Sequence, residues 1–399
     1  MARLTPSAGF ADTKRHYPIL DGLRGVAALM VVAFHLCEAH APNRFGQIIN
    51  HGYMAVDFFF LLSGFVIGYA YDDRWKEAGG SMTTWEFFKR RLIRLHPMIV
   101  AGMLVGALMF YFEDSHAVFP LIHDTPLWLL VVMTLIGMTL IPVGPAFDIR
   151  GWSEMHPLNG PAWSLFYEYV ANILYALVVR RFSNLLLGLC VFVAGAALVH
   201  HLVGGPSGDV IGGWSLEAEQ VPIGFMRLLY PFFAGLLLSR AVAPGRIKHA
   251  FPLCSLIVVA VLAWPRVGGP ESLWMNGLYE SLCIVVVFPL VVWLGASGSL
   301  GPASTPGAAA RLCGFLGGLS YPLYITHYPF IYAYTAWVRN HDVPLAEGLP
   351  VMAAAFAAAV LLAWLFLHFY DIPVRAWLTR RGMRRPLERK PAEVSRRAS

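Results

Sequence analysis

An arginine and a histidine share one face of the first apolar segment of this chain. Arg24 and His35 are eleven residues apart, which on an α-helix separates them by about 20° around the axis and about 16 Å along it. Asp21 and Glu38 lie three residues outside this pair, on nearly the same face. Ionisable groups are costly inside a membrane and are therefore functional candidates. Because histidine exchanges protons near neutral pH, we predict His35 as a general base, with Arg24 and Asp21 as catalytic partners.

A basic cluster opens the third apolar segment. The cluster consists of Lys89, Arg90, Arg91 and Arg94. On a helix, Arg91 and Arg94 share a face, as do Arg90 and Arg94. A guanidinium binds phosphate through a planar fork of donors, so these side chains are candidates for phosphate contacts. The alternative is that they only fix the orientation of the helix, as basic residues on the cytoplasmic side commonly do.

The second apolar segment carries a carboxylate and a serine. Asp57 lies near its start, where we predict that it partners His35 or binds hydroxyl groups of a substrate. Ser63 precedes Gly64, and this pair favours close helix packing over a nucleophilic role. No Gly-x-Ser-x-Gly pattern surrounds Ser63, so the sequence does not indicate a serine hydrolase.

Two later apolar segments contain an acid and a second histidine. Trp163 is typical of an anchor at the membrane interface, whereas Glu168, five residues on, is either functional or structural. His327 lies between Pro322 and Pro329. It either contacts substrate or packs in the bundle with a bond to a main-chain carbonyl that proline has freed.

The composition shows which elements must position these residues. The 399 residues are 57% hydrophobic and 14% charged, against roughly 45–50% apolar and about 25% charged in a soluble domain. These values exclude a disordered chain, a coiled coil and an ordinary cytosolic enzyme. The apolar runs are also too long and continuous for a membrane-spanning sheet. We therefore predict an all-α, polytopic membrane helix bundle.

The net charge and the cysteine pattern limit the classes of partner that we expect for this protein. The net charge is +6, but the basic residues cluster between apolar runs, which is typical of membrane topology rather than nucleic-acid binding. The five cysteines form no CxxC pair, and the histidines lack metal-ligand spacing. We expect neither a metal nor a nucleic acid as a partner.

Eleven apolar runs are long enough to be candidate membrane spans. They cover residues 18–37, 53–71, 93–112, 127–143, 163–180, 184–202, 222–240, 249–265, 277–296, 312–336 and 349–370.

The basic clusters decide how many runs cross the membrane. If every cluster is cytoplasmic, the number of crossings is even and both termini are cytoplasmic. We therefore predict ten spanning helices. The short run 127–143 does not cross but either dips into the outer leaflet or packs on the bundle, within a long outer segment, 113–162. Residues 1–375 then form one integral domain, and residues 376–399 form a basic, poorly ordered cytoplasmic tail.

Six motifs in order resemble those of the acyltransferase-3 family of integral membrane acyltransferases, between residues 17 and 377. The motifs are Leu20–Gly25 with His35, Val56–Phe60 with Leu62–Phe65, Arg91 with Arg94, Trp163–Leu165 with Glu168, Ser320–His327, and Asp371 with Pro373 and Arg375. Two positions depart from the family pattern. Asp371 stands where glutamate is usual, and Tyr169 replaces a second acidic residue, which puts in doubt any role that needs paired carboxylates there.

The resemblance implies transfer of an acyl group, most often acetyl from acetyl-CoA, to a hydroxyl of a sugar. It implies that His35 and Arg24 are catalytic and that Arg91 and Arg94 contact acyl-CoA on the cytoplasmic side. The predicted site comprises catalytic His35, Arg24, Asp21, Asp57 and Glu168, acyl-CoA contacts Arg91, Arg94, Arg90 and Lys89, and the surrounding Glu38, Trp163, Tyr324, His327 and Ser63.

We therefore predict a multi-pass O-acyltransferase of the cell inner membrane. Its expected partners are acyl-CoA as co-substrate, a carbohydrate or glycolipid acceptor, and membrane lipid. One alternative is a proton-coupled transporter or flippase, because intramembrane histidine, arginine and aspartate also serve as proton relays. It is less favoured, since we find no internal repeats of the transporter kind. A glycan polymerase or ligase that uses a lipid-linked donor is a further alternative.

Overall fold

The computed structural model describes residues 16–76, 82–242, 245, 247–300 and 307–382. Within these ranges the chain is all-α, as predicted, and contains no β-strand beyond one isolated bridge between Ile247 and Gly298. Two π-helical turns, Cys283–Val287 and Leu367–Asp371, join consecutive helices into longer continuous ones.

Fourteen α-helices, numbered here in chain order, make up the described bundle. They are α1 Pro18–Glu38, α2 Ala55–Lys76, α3 Thr84–Phe112, α4 Leu127–Thr139, α5 Ala162–Leu177, α6 Asn184–Gly204, α7 Gln220–Ala241, α8 Ala250–Ala263, α9 Leu273–Leu282, α10 Phe288–Ala296, α11 Ala308–Thr326, α12 Tyr328–Asn340, α13 Leu345–Phe366 and α14 Ile372–Gly382.

Within the described ranges, seven helical stretches are long and apolar enough to cross a membrane, and each coincides with a predicted span. They are Pro18–Glu38, Gly52–Trp75, Thr84–Phe112, Asn184–Gly204, Gln220–Ala241, Pro270–Ala296 and Leu345–Gly382. Of the other three predicted spans, 163–180 and 249–265 contain helices of only 16 and 14 residues, and 312–336 is divided between α11 and α12. The count of ten spans stays a prediction.

The division between α11 and α12 follows from Pro329. Proline has no main-chain N–H, so it cannot donate to the carbonyl of Ile325 four residues before it. The Asn159 side chain donates to that carbonyl instead, at 2.7 Å. The interruption at His327 is therefore stabilised by a residue from the segment before α5.

Helix α4 is too short to span the hydrocarbon core. Its 13 residues extend about 20 Å, against about 30 Å for the core of a bilayer. It packs on α3, where Gly137 lies against Met103. This length agrees with the prediction that run 127–143 does not cross.

Small residues bring helix backbones close together, as two helix pairs illustrate. A Cβ added to Gly25 of α1 would collide with the carbonyl oxygen of Leu316 on α11. A Cβ added to Gly235 of α7 would collide with the carbonyl oxygen of Leu61 on α2. Such close approach is typical of helix pairs in membranes.

The helix directions define two ends of the bundle. Arg91 and Arg94 lie in the first third of α3, near Arg24 in the first third of α1, and we name this the arginine end. His35 and Glu38 lie at the last turn of α1, and we name this the histidine end. Since α2 follows α1 directly, it starts at the histidine end and runs back to the arginine end.

The last helix extends beyond the predicted domain boundary. Residues 376–382, expected in the tail, continue α14 as far as Gly382, which lies beside the Lys89 side chain of α3. The ion pair between Arg375 and Asp371, at 2.8 Å, joins α14 to the preceding π-helical turn. Residues 383–399 lie outside the described ranges.

Candidate active site

An open cavity lies at the arginine end, between α1, α2, α3, α5 and α11. Its empty space, including the open mouth, is about 760 Å³. Phenylalanine, leucine and valine supply seven of the sixteen residues that line it, and two tyrosines add to its apolar wall. The charged residues that line it are Arg24, Arg91, Arg94 and Glu168. The cavity therefore combines an apolar wall with an excess of positive charge.

Arg24 is held between α1 and α11. Its Nε donates to Ser320 Oγ at 2.9 Å, and its Nη2 donates to Asp21 Oδ1 at 3.2 Å. Asp21 also lies 2.7 Å from His16 Nε2. Asp21 thus orients and partly neutralises Arg24, in agreement with the predicted neighbourhood of the two residues.

Glu168 joins three helices. It accepts from Arg91 Nη2 at 2.6 Å and from Ser63 Oγ at 3.1 Å. Ser63, predicted as a packing residue, therefore has a polar partner as well and lines the cavity. The ion pair links α5 to α3, so Glu168 fixes the Arg91 side chain at the cavity wall.

Arg94 is the cavity arginine that lacks a polar partner. Across the part of the chain that the structure describes, its guanidinium makes no hydrogen bond and no ion pair. The five N–H donors of this guanidinium have no acceptor among the described residues. This side chain is therefore the one most available to an anionic ligand.

His35 is oriented by Glu38 at the other end of α1. The Nδ1 atom lies 2.9 Å from Glu38 Oε2, and the two side chains are 18% and 50% exposed. A carboxylate on Nδ1 favours the tautomer that carries a proton there, which leaves Nε2 as an acceptor. His35 is not among the described residues that line the cavity.

A column of aromatic rings separates His35 from the cavity. Tyr324 lines the cavity, and its hydroxyl lies 2.7 Å from Ser164 Oγ. Its ring centroid is 5.4 Å from that of Phe59 and 6.0 Å from that of His327. The His327 ring in turn stacks on His35 at 5.9 Å. These contacts connect the two ends through side chains rather than through open space.

His327 is fully buried within this column. Its Nδ1 lies 2.9 Å from the carbonyl oxygen of Tyr324 and 3.1 Å from that of Leu323. A main-chain contact is therefore present as predicted, but the carbonyl that Pro329 frees, that of Ile325, is bound by Asn159 instead. With Nδ1 as the donor, Nε2 is an acceptor, and the described part of the chain offers it no partner.

Two predicted side-chain environments are wrong. Asp57 does not pair with His35: its Oδ2 lies 2.8 Å from Arg227 Nη2, and both side chains are buried. The reason is that this face of α2 packs against α7. Trp163 is not an interface anchor but is buried, with the Arg227 guanidinium 5.0 Å from its ring.

The remaining predicted acyl-CoA contacts lie outside the cavity. Neither Lys89 nor Arg90 is among the described residues that line it. Lys89 packs beside Gly382 on α14. Sequence reasoning also missed Arg227, although an arginine inside the apolar run 222–240 is itself an informative signal.

Comparison with known proteins identifies the family. The acyltransferase-3 model, described as an acyltransferase domain, matches residues 17–368. The chain belongs to the acyltransferase-3 family. It is therefore an acyltransferase and, with its seven apolar helices, a membrane protein.

Three relatives illustrate the range of this acyltransferase family. Protein 2 in the picA locus of Rhizobium radiobacter is 36% identical over 40% of this chain and 80% of its own length. O-acetyltransferase OatA of Staphylococcus aureus is 22% identical over 90% of this chain, which spans 57% of OatA. Acyltransferase MdmB of Streptomyces mycarofaciens is 28% identical over 46% of this chain and 45% of its own length. No solved structure matches the chain.

Proposed function

We propose that this protein is an O-acyltransferase of the cell inner membrane. It moves an acyl group, typically acetyl, from acyl-CoA at the cytoplasmic face to a hydroxyl of a carbohydrate or glycolipid acceptor. The observation that carries the proposal is the open cavity in which Arg94, beside the paired Arg24 and Arg91, has no polar partner among the residues that the structure describes. The name of the relative OatA, an O-acetyltransferase, supports acetyl transfer to oxygen.

The donor binds at the arginine end in this proposal. The nucleotide of coenzyme A carries several phosphates and cannot enter lipid, so it must reach the protein from water. Arg94 and Arg91 contact its phosphates, and the apolar wall accepts the pantetheine arm. Lys89 and Arg90 lie outside the cavity and contribute only longer-range attraction. This arrangement makes the arginine end cytoplasmic.

The acceptor binds at the histidine end. His35 Nε2 takes the proton of the acceptor hydroxyl while Glu38 holds Nδ1. The hydroxyl oxygen forms a bond to the acyl carbon, the carbon–sulfur bond of the thioester breaks, and coenzyme A leaves as the thiol after gaining a proton. Arg24, about 16 Å from His35 along α1, contacts a phosphate of coenzyme A in the cavity instead.

The acyl group must cross the aromatic column for this reaction. Tyr324 lies between the cavity and the His327 ring and packs against Phe59, so the Tyr324 side chain has to rotate as the acyl group passes. Rotation of a ring within a bundle is a local event that leaves the helices in place. The column also keeps water from running through the protein between turnovers.

The decisive experiment compares His35→Ala with the wild type. In cells that carry the variant, mass spectrometry should show cell-surface glycans without the mass increment of the acyl group. The purified variant should still bind coenzyme A. The matched control, His200→Ala, removes an exposed histidine away from the site and should keep full activity.

Two outcomes would overturn the proposal. Full acylation of the glycans by the His35→Ala variant would show that His35 is not the general base. Absence of any acyl-CoA dependence in the wild type would instead favour a transporter or a glycan polymerase, neither of which consumes a thioester.

A further inference from the structure

An aspartate and two histidines converge on the surface between α3 and α4. Asp114, His116 and His123 all follow Glu113, the C-cap residue directly after α3. Their side-chain ligand atoms lie within 4.8 Å of one another. The spacing Asp-x-His-x6-His follows none of the usual metal motifs, and the turn between residues 119 and 125 is what brings His123 back to His116.

The two imidazoles lie close to the same carboxylate oxygen. His116 Nε2 lies 3.0 Å from Asp114 Oδ1, and His123 Nε2 lies 3.4 Å from that atom. The two rings are nearly parallel, 10° apart, with centroids separated by 4.5 Å. In a tetrahedral zinc site, metal–ligand distances of 2.0–2.1 Å place neighbouring ligand atoms about 3.3 Å apart. The two distances to Asp114 Oδ1 are close to that value.

The backbone that carries these ligands is fixed. Asn340 at the end of α12 accepts from the main-chain N–H groups of His116 and Ala117 and donates to the Asp114 carbonyl. Phe119, between the two histidines, is fully buried and donates from its main chain to Ser115 Oγ. The ligands therefore project from an anchored loop.

We propose that Asp114, His116 and His123 bind a divalent transition metal of the zinc class. Two imidazoles and a carboxylate are borderline ligands that suit zinc, whereas calcium and magnesium prefer all-oxygen sites. Three protein ligands leave a fourth position for water. The side chains are 75%, 72% and 46% exposed in that order, so the metal has free access. The site is independent of the acyl-transfer proposal.

Bound metal joins both ends of this loop. His123 lies after the turn and Asp114 before it, so a common metal closes a ring of ten residues, 114–123, against α12. Because only the folded chain holds the three ligands together, metal binding raises the thermal stability of the protein.

Titration of the purified full-length protein with Zn²⁺ tests the site. The protein is prepared in detergent without a polyhistidine tag, and zinc binding is measured by calorimetry and by the shift in Tm. We expect one Zn²⁺ per chain in the wild type, and loss of that equivalent and of the Tm shift in the double variant His116→Ala, His123→Ala. Both side chains are solvent-exposed, so the metal-free variant should keep the wild-type Tm.

A matched histidine variant completes the test. His200→Ala removes an exposed histidine outside the cluster and should bind Zn²⁺ like the wild type. Equal zinc binding by the double variant, or no binding by the wild type, would overturn the proposal. Mg²⁺ at the same concentrations should produce no Tm shift.

Discussion

At the scale of single residues, the arginines that line the cavity differ in whether they have an acidic partner. Arg24 is paired with Asp21, and Arg91 is paired with Glu168. Arg94 faces the same cavity, and the described ranges supply it with no acceptor. An unpaired guanidinium at a half-buried position is stabilised when an anion arrives. We therefore assign the main phosphate contact to Arg94 and a geometric role to Arg91.

The first prediction concerns Arg94→Gln. A hydrogen bond between charged groups contributes about 1.5–3 kcal/mol, which corresponds to a roughly 10- to 100-fold loss of coenzyme A affinity. Calorimetry on purified protein measures this affinity. Lys89→Gln removes a positive charge from the same helix outside the cavity and should change the affinity far less. An equal effect of both variants would contradict a specific contact.

At the scale of elements, buried polar pairs fix how the helices are paired. Arg227 of α7 donates to both carboxylate oxygens of Asp57 on α2 and to the carbonyl of Tyr53. The pair lies beside the close α2–α7 backbone contact at Gly235. Since apolar side chains do not discriminate between neighbours in lipid, this polar contact specifies the partner and the register of the two helices.

The second prediction concerns this ion pair. Arg227→Met leaves the Asp57 carboxylate buried and unpaired, and breaking such a pair costs about 3–5 kcal/mol. The Tm of the purified protein in detergent should fall markedly. The double variant Asp57→Asn, Arg227→Met removes the uncompensated charge and should recover part of the loss. No recovery would show that the lost packing of Arg227, rather than the charge, dominates.

At the scale of the whole molecule, an acidic group outside the apolar spans couples stability to pH. Glu154, between α4 and α5, is buried and accepts from the Tyr332 hydroxyl of α12 at 2.5 Å. Burial raises the pKa of Glu154 from 4.5 to about 8, even though the Tyr332 hydrogen bond and Arg150 oppose the shift. The folded protein thus keeps a proton that the unfolded chain releases.

The third prediction follows from this shift. Between pH 4.5 and about 8 the unfolded chain ionises Glu154 while the folded protein does not, so stability falls as pH rises through this window. Thermal unfolding in detergent at pH 5, 6.5 and 8 measures the slope. Glu154→Gln cannot ionise and should show a smaller decrease in Tm across the same range. An unchanged slope would assign the pH dependence to other groups.

The sequence by itself determined the all-α membrane class, seven of the membrane-length helices and the Arg24, His35, Arg91 and Arg94 positions, because hydropathy and helical periodicity act over short stretches of chain. The tertiary structure alone decided the partners of Asp57, Glu168 and Ser63, since each depends on which face of a helix meets which neighbour. It also separated His35 from the cavity and brought His116 to His123. Contacts between helices and across turns depend on rotation and packing of whole elements, which residue spacing along one segment does not encode.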